Sequence, residues 1–294
     1  MSYELYFYRP KGSNLSERQI WDYLSSNLTP VNESGNQWWF ENEDTEVYYS
    51  FDHNEPESDS KSIELYESFD DFDNTNFSFN LNFMRPTFFG LEAFQFVGTI
   101  MAELDMYVLN PQSNFEIPVK QSKEELFDGW NQTNLRASTD HFKEKEFTYI
   151  PPEKSNLAWE YNFNRKKTQD QLGENYFVPK LFFLKTKKEN RAITLTTWTE
   201  HIPMVIPPAD YFLLGRQYKK FFRTVKDQAL ISRKTLLKHF ETYFDDFELK
   251  ECRIIHPENA GKVKDRFNSI KPDEVLKDFA ERVAMGYLYN AKSD

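Results

Sequence analysis

Between residues 77 and 83 the chain alternates apolar and polar side chains without a break, with Phe77, Phe79, Leu81 and Phe83 set against Ser78, Asn80 and Asn82. A period of two sends the two sets to opposite faces of an extended strand, so this segment belongs in a sheet with one apolar and one polar face. Pro86 interrupts it, and Leu91, Phe94, Val97, Ile100, Met101 and Leu104 then recur at helical spacing over residues 89–104. That is the pattern of a helix laying one stripe on a core. A strand leading directly into an amphipathic helix points to an α+β fold with helices on one face of the sheet.

The residues before it extend that unit. Residues 3–8 read as a buried strand, broken by Arg9-Pro10-Lys11-Gly12-Ser13-Asn14. Ser16 with Gln19 three positions on makes a capping box for a helix whose apolar face is Ile20, Trp21, Tyr23 and Leu24 and which Pro30 ends. Residues 37–40 and 46–51 form a hairpin across an acidic turn at 41–44, residues 62–66 offer another strand, and residues 106–109 close the series. With 62–66 set aside, the order over residues 1–120 is β-α-β-β-β-α-β.

Residues 121–154 read as helix and linker: Ser122 and Glu125 form a second capping box for a helix over 122–138, and the segment 141–154 ends in Pro151-Pro152, with 147–150 able to pair as an edge strand. In the second domain, 155–294, strand patterns at 177–184, 192–198, 203–206 and 211–214 suggest a mostly antiparallel sheet followed by C-terminal helices. From 216 to 247 the chain reads as helical and basic, with Arg216, Lys219, Lys220, Arg223, Lys226, Arg233, Lys234 and Lys238 interleaved with Phe221, Phe222, Val225, Leu230, Leu236, Leu237 and Phe240, and with a break in 226–231. Val275, Phe279, Val283 and Tyr287, at four-residue steps, predict a last helix over 272–289.

Charge is distributed unevenly. Thirteen acidic residues and one base, Lys61, fall between 41 and 73. Residues 1–120 carry 21 acidic and 6 basic residues, whereas residues 121–294 carry 26 and 30, within an overall net charge of −11. Such an acidic segment repels nucleic acid and anionic membranes and attracts basic proteins. In the bland reading it is only a solvated surface. The basic stretch 216–238 is read first as an amphipathic helix with solvated cations. Nucleic-acid contact is its alternative, opposed by the net charge. With 17% aromatic residues, the chain buries large areas from few side chains.

Familiar chemical motifs are missing. No G-x-G-x-x-G or G-x-x-x-x-G-K-[ST] phosphate cradle and no G-x-S-x-G elbow occurs. The five histidines, His53, His141, His201, His239 and His256, lack the i,i+4 pairing of a zinc helix, and the single cysteine, Cys252, reads as a small buried residue. Residues 70–76 loosely match a calcium loop but lack its glycine and read as the lead-in to a strand. No catalytic residue, cofactor or metal is therefore expected. The first residues run straight into a strand, without the basic start and apolar core of a signal peptide, and no apolar run approaches a membrane span, so a cytoplasmic protein without a membrane partner is expected. Arg85 and Glu92 flank the turn fixed by Pro86 and Gly90, where an ion pair is expected ahead of substrate binding. Trp198-Thr199-Glu200-His201 supplies a carboxylate and an imidazole for acid–base work should the protein be an enzyme.

The segments Tyr3-Glu4-Leu5-Tyr6-Phe7-Tyr8-Arg9-Pro10, Asn82-Phe83-Met84-Arg85-Pro86-Thr87-Phe88-Phe89-Gly90-Leu91-Glu92 and Val178-Pro179, Trp198 and Ile206-Pro207-Pro208-Ala209-Asp210-Tyr211 together resemble a little-characterised group of bacterial cytosolic proteins, some of which are taken to be immunity proteins of polymorphic or contact-delivered toxins. The resemblance implies a non-enzymatic binder that covers an essential surface of one toxin. A cognate toxin or other basic protein is then the expected partner, held by Glu41, Glu43, Asp44, Glu46, Glu55, Glu57 and Asp59 with Trp38, Trp39, Tyr48 and Tyr49 as aromatic anchors. Two alternatives stay open. One is an enzyme or small-molecule binder with a pocket between the domains, using Arg85, Glu92, Glu200 or His201. The other is a self-associating scaffold component of a secretion or surface assembly.

Overall fold

The computed structural model describes residues 2–31, 35–56, 58–113, 117–140, 147–220 and 223–290. It has an α+β fold and divides into two units, residues 1–145 and 146–294.

In the first unit, β1 (Ser2–Pro10), α1 (Glu17–Asn27), β2 (Thr29–Pro30), β3 (Gln37–Glu41), β4 (Tyr48–His53), α2 (Ser60–Tyr66), β5 (Phe72–Asn82), α3 (Phe88–Glu103), β6 (Tyr107–Leu109) and α4 (Lys123–Asp140) follow in order. The strands make one antiparallel sheet in the order β2-β3-β4-β5-β1-β6. Its register sorts the side chains. Leu5 and Phe51 both lie opposite Phe79, Trp38 lies opposite Phe51, and Phe7 lies opposite Val108. All six are at most 1% exposed and form one apolar face. On this face Phe94 of α3 meets Phe79 at 5.8 Å, Phe96 meets Phe51 at 5.8 Å, and Trp21 of α1 meets Trp38 edge-on at 4.9 Å. Each fully buried ring contributes about 1.5–3 kcal/mol. The capping boxes at Ser16 and Ser122 both form.

α4 packs on α3 at Gly90, where an added Cβ would lie 2.5 Å from Trp130 Cε3. Residues 62–66, expected as a strand, lie instead in α2, because Asp59 caps a helix there by accepting the Ser62 amide at 3.0 Å. Residues 72–76 open β5.

In the second unit the order is β7 (Thr148–Ile150), α5 (Pro152–Leu172), β8 (Phe182–Thr186), β9 (Ala192–Thr199), β10 (Met204–Ile206), β11 (Tyr211–Lys220), β12 (Arg223–Ser232), α6 (Arg233–Phe240), β13 (Asp245–Asp246), β14 (Arg253–Ile255), α7 (Pro257–Ala260), α8 (Lys264–Ser269), α9 (Leu276–Phe279), β15 (Ala280–Arg282) and β16 (Leu288–Asn290). The main sheet runs β12-β11-β9-β8-β15, antiparallel except for the β9–β11 pair. β10, β14 and β13 form a small antiparallel sheet, and β7 pairs with β16 in parallel. Leu184, Ile193, Leu195, Leu230 and Ala280 build one core. Trp198, fully buried, is surrounded by Phe240, Phe244 and Phe267.

The second unit corrects three expectations. Residues 216–232, expected as a basic helix, are the outer half of β11 and all of β12, a hairpin held by register pairs from Tyr211–Ser232 to Lys220–Arg223. Among the described residues of 216–247, Arg233–Phe240 is α-helical and Glu241–Tyr243 forms a 3-10 turn, and Phe221 and Phe222 lie outside the described residues. The helix expected over 272–289 is reduced to Leu276–Phe279 and a 3-10 turn at Met285–Tyr287; the chain pairs with β8 between them and with β7 after them. The segment expected as linker includes β7 and the start of α5, a 21-residue helix that no apolar stripe announces. Its buried residues include Ser155, Asn162 and Thr168. Asn162 donates to the Leu181 carbonyl and accepts its amide, both at 2.9 Å, while the Tyr161 hydroxyl donates to the Pro179 carbonyl at 2.8 Å.

Candidate functional site

The face of the first sheet opposite α1 and α3 is polar. Here Glu4 lies across from Asn80, Tyr6 and Asp52 from Ser78, and Trp39 from Ser50. Asp52 gathers Gln37 Nε2 at 2.6 Å and Asn80 Nδ2 at 2.7 Å, so the centre of this face is a hydrogen-bonded amide–carboxylate network. At its β3–β4 end, Trp39 and Tyr48 stack at 5.2 Å with 17° between their planes. Trp39 is 37% exposed. Arg85 supports the stack from below: its Nε donates to the Tyr48 hydroxyl at 3.0 Å, and its guanidinium lies 5.5 Å from the Tyr48 ring and 5.9 Å from that of Phe89.

The acidic turn beside this pair is held in one shape. Asn42 donates to the Val47 carbonyl at 2.9 Å and accepts the Glu46 amide on its own carbonyl at 2.7 Å. The Asp44 amide donates to Asn42 Oδ1 at 3.0 Å, and Asn42 Nδ2 donates to Glu92 Oε1 of α3 at 2.7 Å. Glu46 adopts a left-handed φ of 62°. Glu41 and Glu43 are exposed at this rim. A turn fixed in advance loses little conformational entropy on binding.

The expected partner surface is therefore divided by the fold. Trp39, Tyr48, Glu41 and Glu43 come together at one end of the sheet. Trp38 and Tyr49, expected as anchors, point into the covered apolar face at 0% and 2% exposure, because the strand period sends alternate residues to opposite sides. Burial, with Glu92 nearby, pushes the Tyr49 hydroxyl well above its ordinary pKa. Asp44 is buried in the turn and Glu46 is half-buried. Asp59 is engaged as the α2 cap, Glu55 is exposed beyond β4, and Glu57 lies outside the described residues.

Arg85 and Glu92, expected as an ion pair, instead reach Tyr48 and Asn42 respectively. Arg85 acts as the support of an aromatic pair that sequence reading did not join.

The same face holds a small cavity of about 170 Å³ lined by Glu4, Tyr6, Asn54, Glu55, Tyr66, Asn74, Asn76 and Ser78. A bulge builds one wall. Tyr6 pairs with Ser78 but Tyr8 with Asn74, so β5 carries two extra residues there, and Asn76 takes a left-handed φ of 62°. The polar half of the 77–83 alternation was the only sequence signal for this feature. A wider open groove of about 790 Å³ runs along α3 beside residues 120–123. Two of its charged rim groups are engaged, Glu103 by the Tyr23 hydroxyl and Lys120 by Asp105.

In the second unit, Glu200 and His201 both take a left-handed φ of 51° at the turn after β9. Glu200 lines an open depression of about 520 Å³ together with Arg216 and Asp227. Those two are joined in a bidentate pair, Nε–Oδ1 at 2.7 Å and Nη2–Oδ2 at 2.9 Å. The Tyr218 hydroxyl donates to Asp227 at 3.0 Å, and Arg216 Nη1 to the Ile270 carbonyl at 2.6 Å. This clamps the hairpin base to the 270 segment. Burial holds His201 below its ordinary pKa.

Cys252 is buried and its thiol is pushed up to about 12, chiefly by burial, which removes the thiolate a nucleophile requires. His256, four residues on, is hydrogen-bonded to the Tyr176 hydroxyl at 2.7 Å.

Among the described residues no group of His, Cys, Asp and Glu is placed to hold a metal ion, and no helix is long and apolar enough to cross a membrane. Comparison of the chain with protein-family models, curated proteins and solved structures found no match.

Proposed function

We propose that the protein is a non-catalytic binding protein whose acidic first unit engages a basic protein partner at the β3–β4 end of the sheet. The observation that carries this reading is the outward-facing Trp39–Tyr48 stack, backed by Arg85 and rimmed by Glu41 and Glu43 on a turn already fixed by its own hydrogen bonds. Exposed aromatics on rigid supports supply contact area, and surrounding charge supplies steering and selectivity. In the specific form implied by the resemblance to immunity proteins, the partner is a bacterial toxin met in the cytoplasm, and binding covers a surface the toxin needs.

Affinity capture of the tagged protein from its own host, with mass spectrometry at low and moderate salt, tests the reading. A stoichiometric basic partner, released as salt rises, is the expected result. A protein recovered alone, from cells shown to express any adjacent toxin gene, counts against it.

A further inference from the structure

The cavity on the polar face has a donor–acceptor balance that selects its ligand. Its amide nitrogens already donate within the protein: Asn54 to Ser78 Oγ at 3.0 Å, Asn74 to Glu67 at 2.9 Å and Asn76 to Glu17 at 2.9 Å. The carboxylates of Glu4 and Glu55 have no cationic partner among the described residues, and Glu4 accepts only a long hydrogen bond from the Tyr6 hydroxyl, at 3.5 Å. One wall is aromatic. The rings of Tyr6 and Tyr66 lie 4.8 Å apart at 32°, and the Tyr8 hydroxyl holds the end of α2 in place by donating to the Tyr66 carbonyl at 3.0 Å. Carboxylates without a cation, engaged amide donors and a π surface together favour a planar or tetrahedral cation with several N–H groups.

Size narrows the source. At about 170 Å³ the cavity is smaller than the roughly 300–1,000 Å³ of clefts that enclose whole small molecules. It suits one head group delivered on a larger body. We infer that it receives a single arginine or lysine side chain from the basic partner, an assignment that rests on the partner-binding reading above and gives it a specific contact.

The full chain, with its tyrosine rings isotopically labelled, is titrated with the peptide acetyl-Gly-Arg-Gly-amide, its lysine and citrulline counterparts, and spermidine. Tyr6 and Tyr66 ring resonances provide the readout. The arginine peptide should shift both saturably, and the neutral citrulline peptide should bind at least about tenfold more weakly. The Glu4→Gln/Glu55→Gln protein, with an unchanged melting temperature, should lose about tenfold for the charged peptides. Equal response to citrulline, insensitivity to the double substitution, or no saturable shift would overturn the assignment. Spermidine binding more tightly than either peptide would overturn the side-chain source in favour of a free polyamine. Because no partner is needed, this titration can fail while capture succeeds, and the reverse, so the two readings fail separately.

Discussion

The two units carry charge in opposite ways. Residues 1–145 hold 26 acidic and 10 basic residues, so most of their carboxylates have no base in the same unit to meet; residues 146–294 hold 21 and 26. In the second unit named charges do structural work: Arg216 with Asp227 clamps the hairpin, Lys154 meets Asp210 at 2.6 Å, and Lys185 meets Glu281 across β8 and β15 at 3.2 Å. In the first, the apolar face holds the fold together, while Glu41 and Glu43 stand exposed at the rim of the polar face. Charge that a fold does not use is available for steering a partner, and charge that clamps strands is not.

The sharpest way to break this contrast is to exchange tryptophans. Trp198→Ala, in the second core, should cost about 3–5 kcal/mol in chemical denaturation, whereas Trp39→Ala, on the open rim, should change stability by no more than about 0.5 kcal/mol while weakening capture. A smaller effect is expected at Asn162. Its replacement by alanine leaves the Leu181 amide and carbonyl unpaired beside α5, and a loss of about 1–3 kcal/mol should follow, measured by the same denaturation.

Asp227 supplies a pH test. Hydrogen bonding from Arg216 holds its carboxyl below the ordinary value of 3.8. A depressed folded pKa contributes stability that is present above the unfolded value and is lost as pH falls through the folded one. Asp227→Asn should therefore lower the melting temperature at neutral pH, by the equivalent of about 1 kcal/mol after allowance for solvent screening. The gap from wild type should narrow as pH drops below the carboxylate range. A gap that stays constant with pH would show that the ion pair is not its source. The smallest stability effect belongs to Glu41→Lys/Glu43→Lys, within about 0.5 kcal/mol, where the change should appear instead as slower association with a basic partner.

The first unit was legible because its signals are local. The alternation at 77–83, the capping boxes at Ser16 and Ser122 and the apolar stripe of 89–104 each report on neighbours a few residues away, and β5, α1, α4 and α3 form there. The second unit hid its structure in distant pairing. Leu288 pairs with Thr148, and Ala280 with Thr186, partners far apart in the chain that turn an apparent four-residue period into a short helix and strands. At 223–232, cross-strand register overrides the helix preference of Lys, Gln, Ala and Leu. α5 was silent because it is fastened by side-chain amide and hydroxyl bonds, as at Asn162 and Tyr161, rather than by an apolar stripe. Site reading failed in the same way: adjacent Trp38 and Trp39 look alike in sequence, and only the covered face tells them apart.

Side-by-side capture from the host with wild-type protein, a Trp39→Ala/Glu41→Lys/Glu43→Lys variant and an Asp227→Asn variant tests most directly whether the unmatched charge of the first unit is the binding surface. The expected result is a salt-sensitive basic partner on wild type and Asp227→Asn, and its loss from the first-unit variant although that variant melts as wild type does. Equal capture by all three proteins would contradict the assignment of the Trp39–Tyr48 rim.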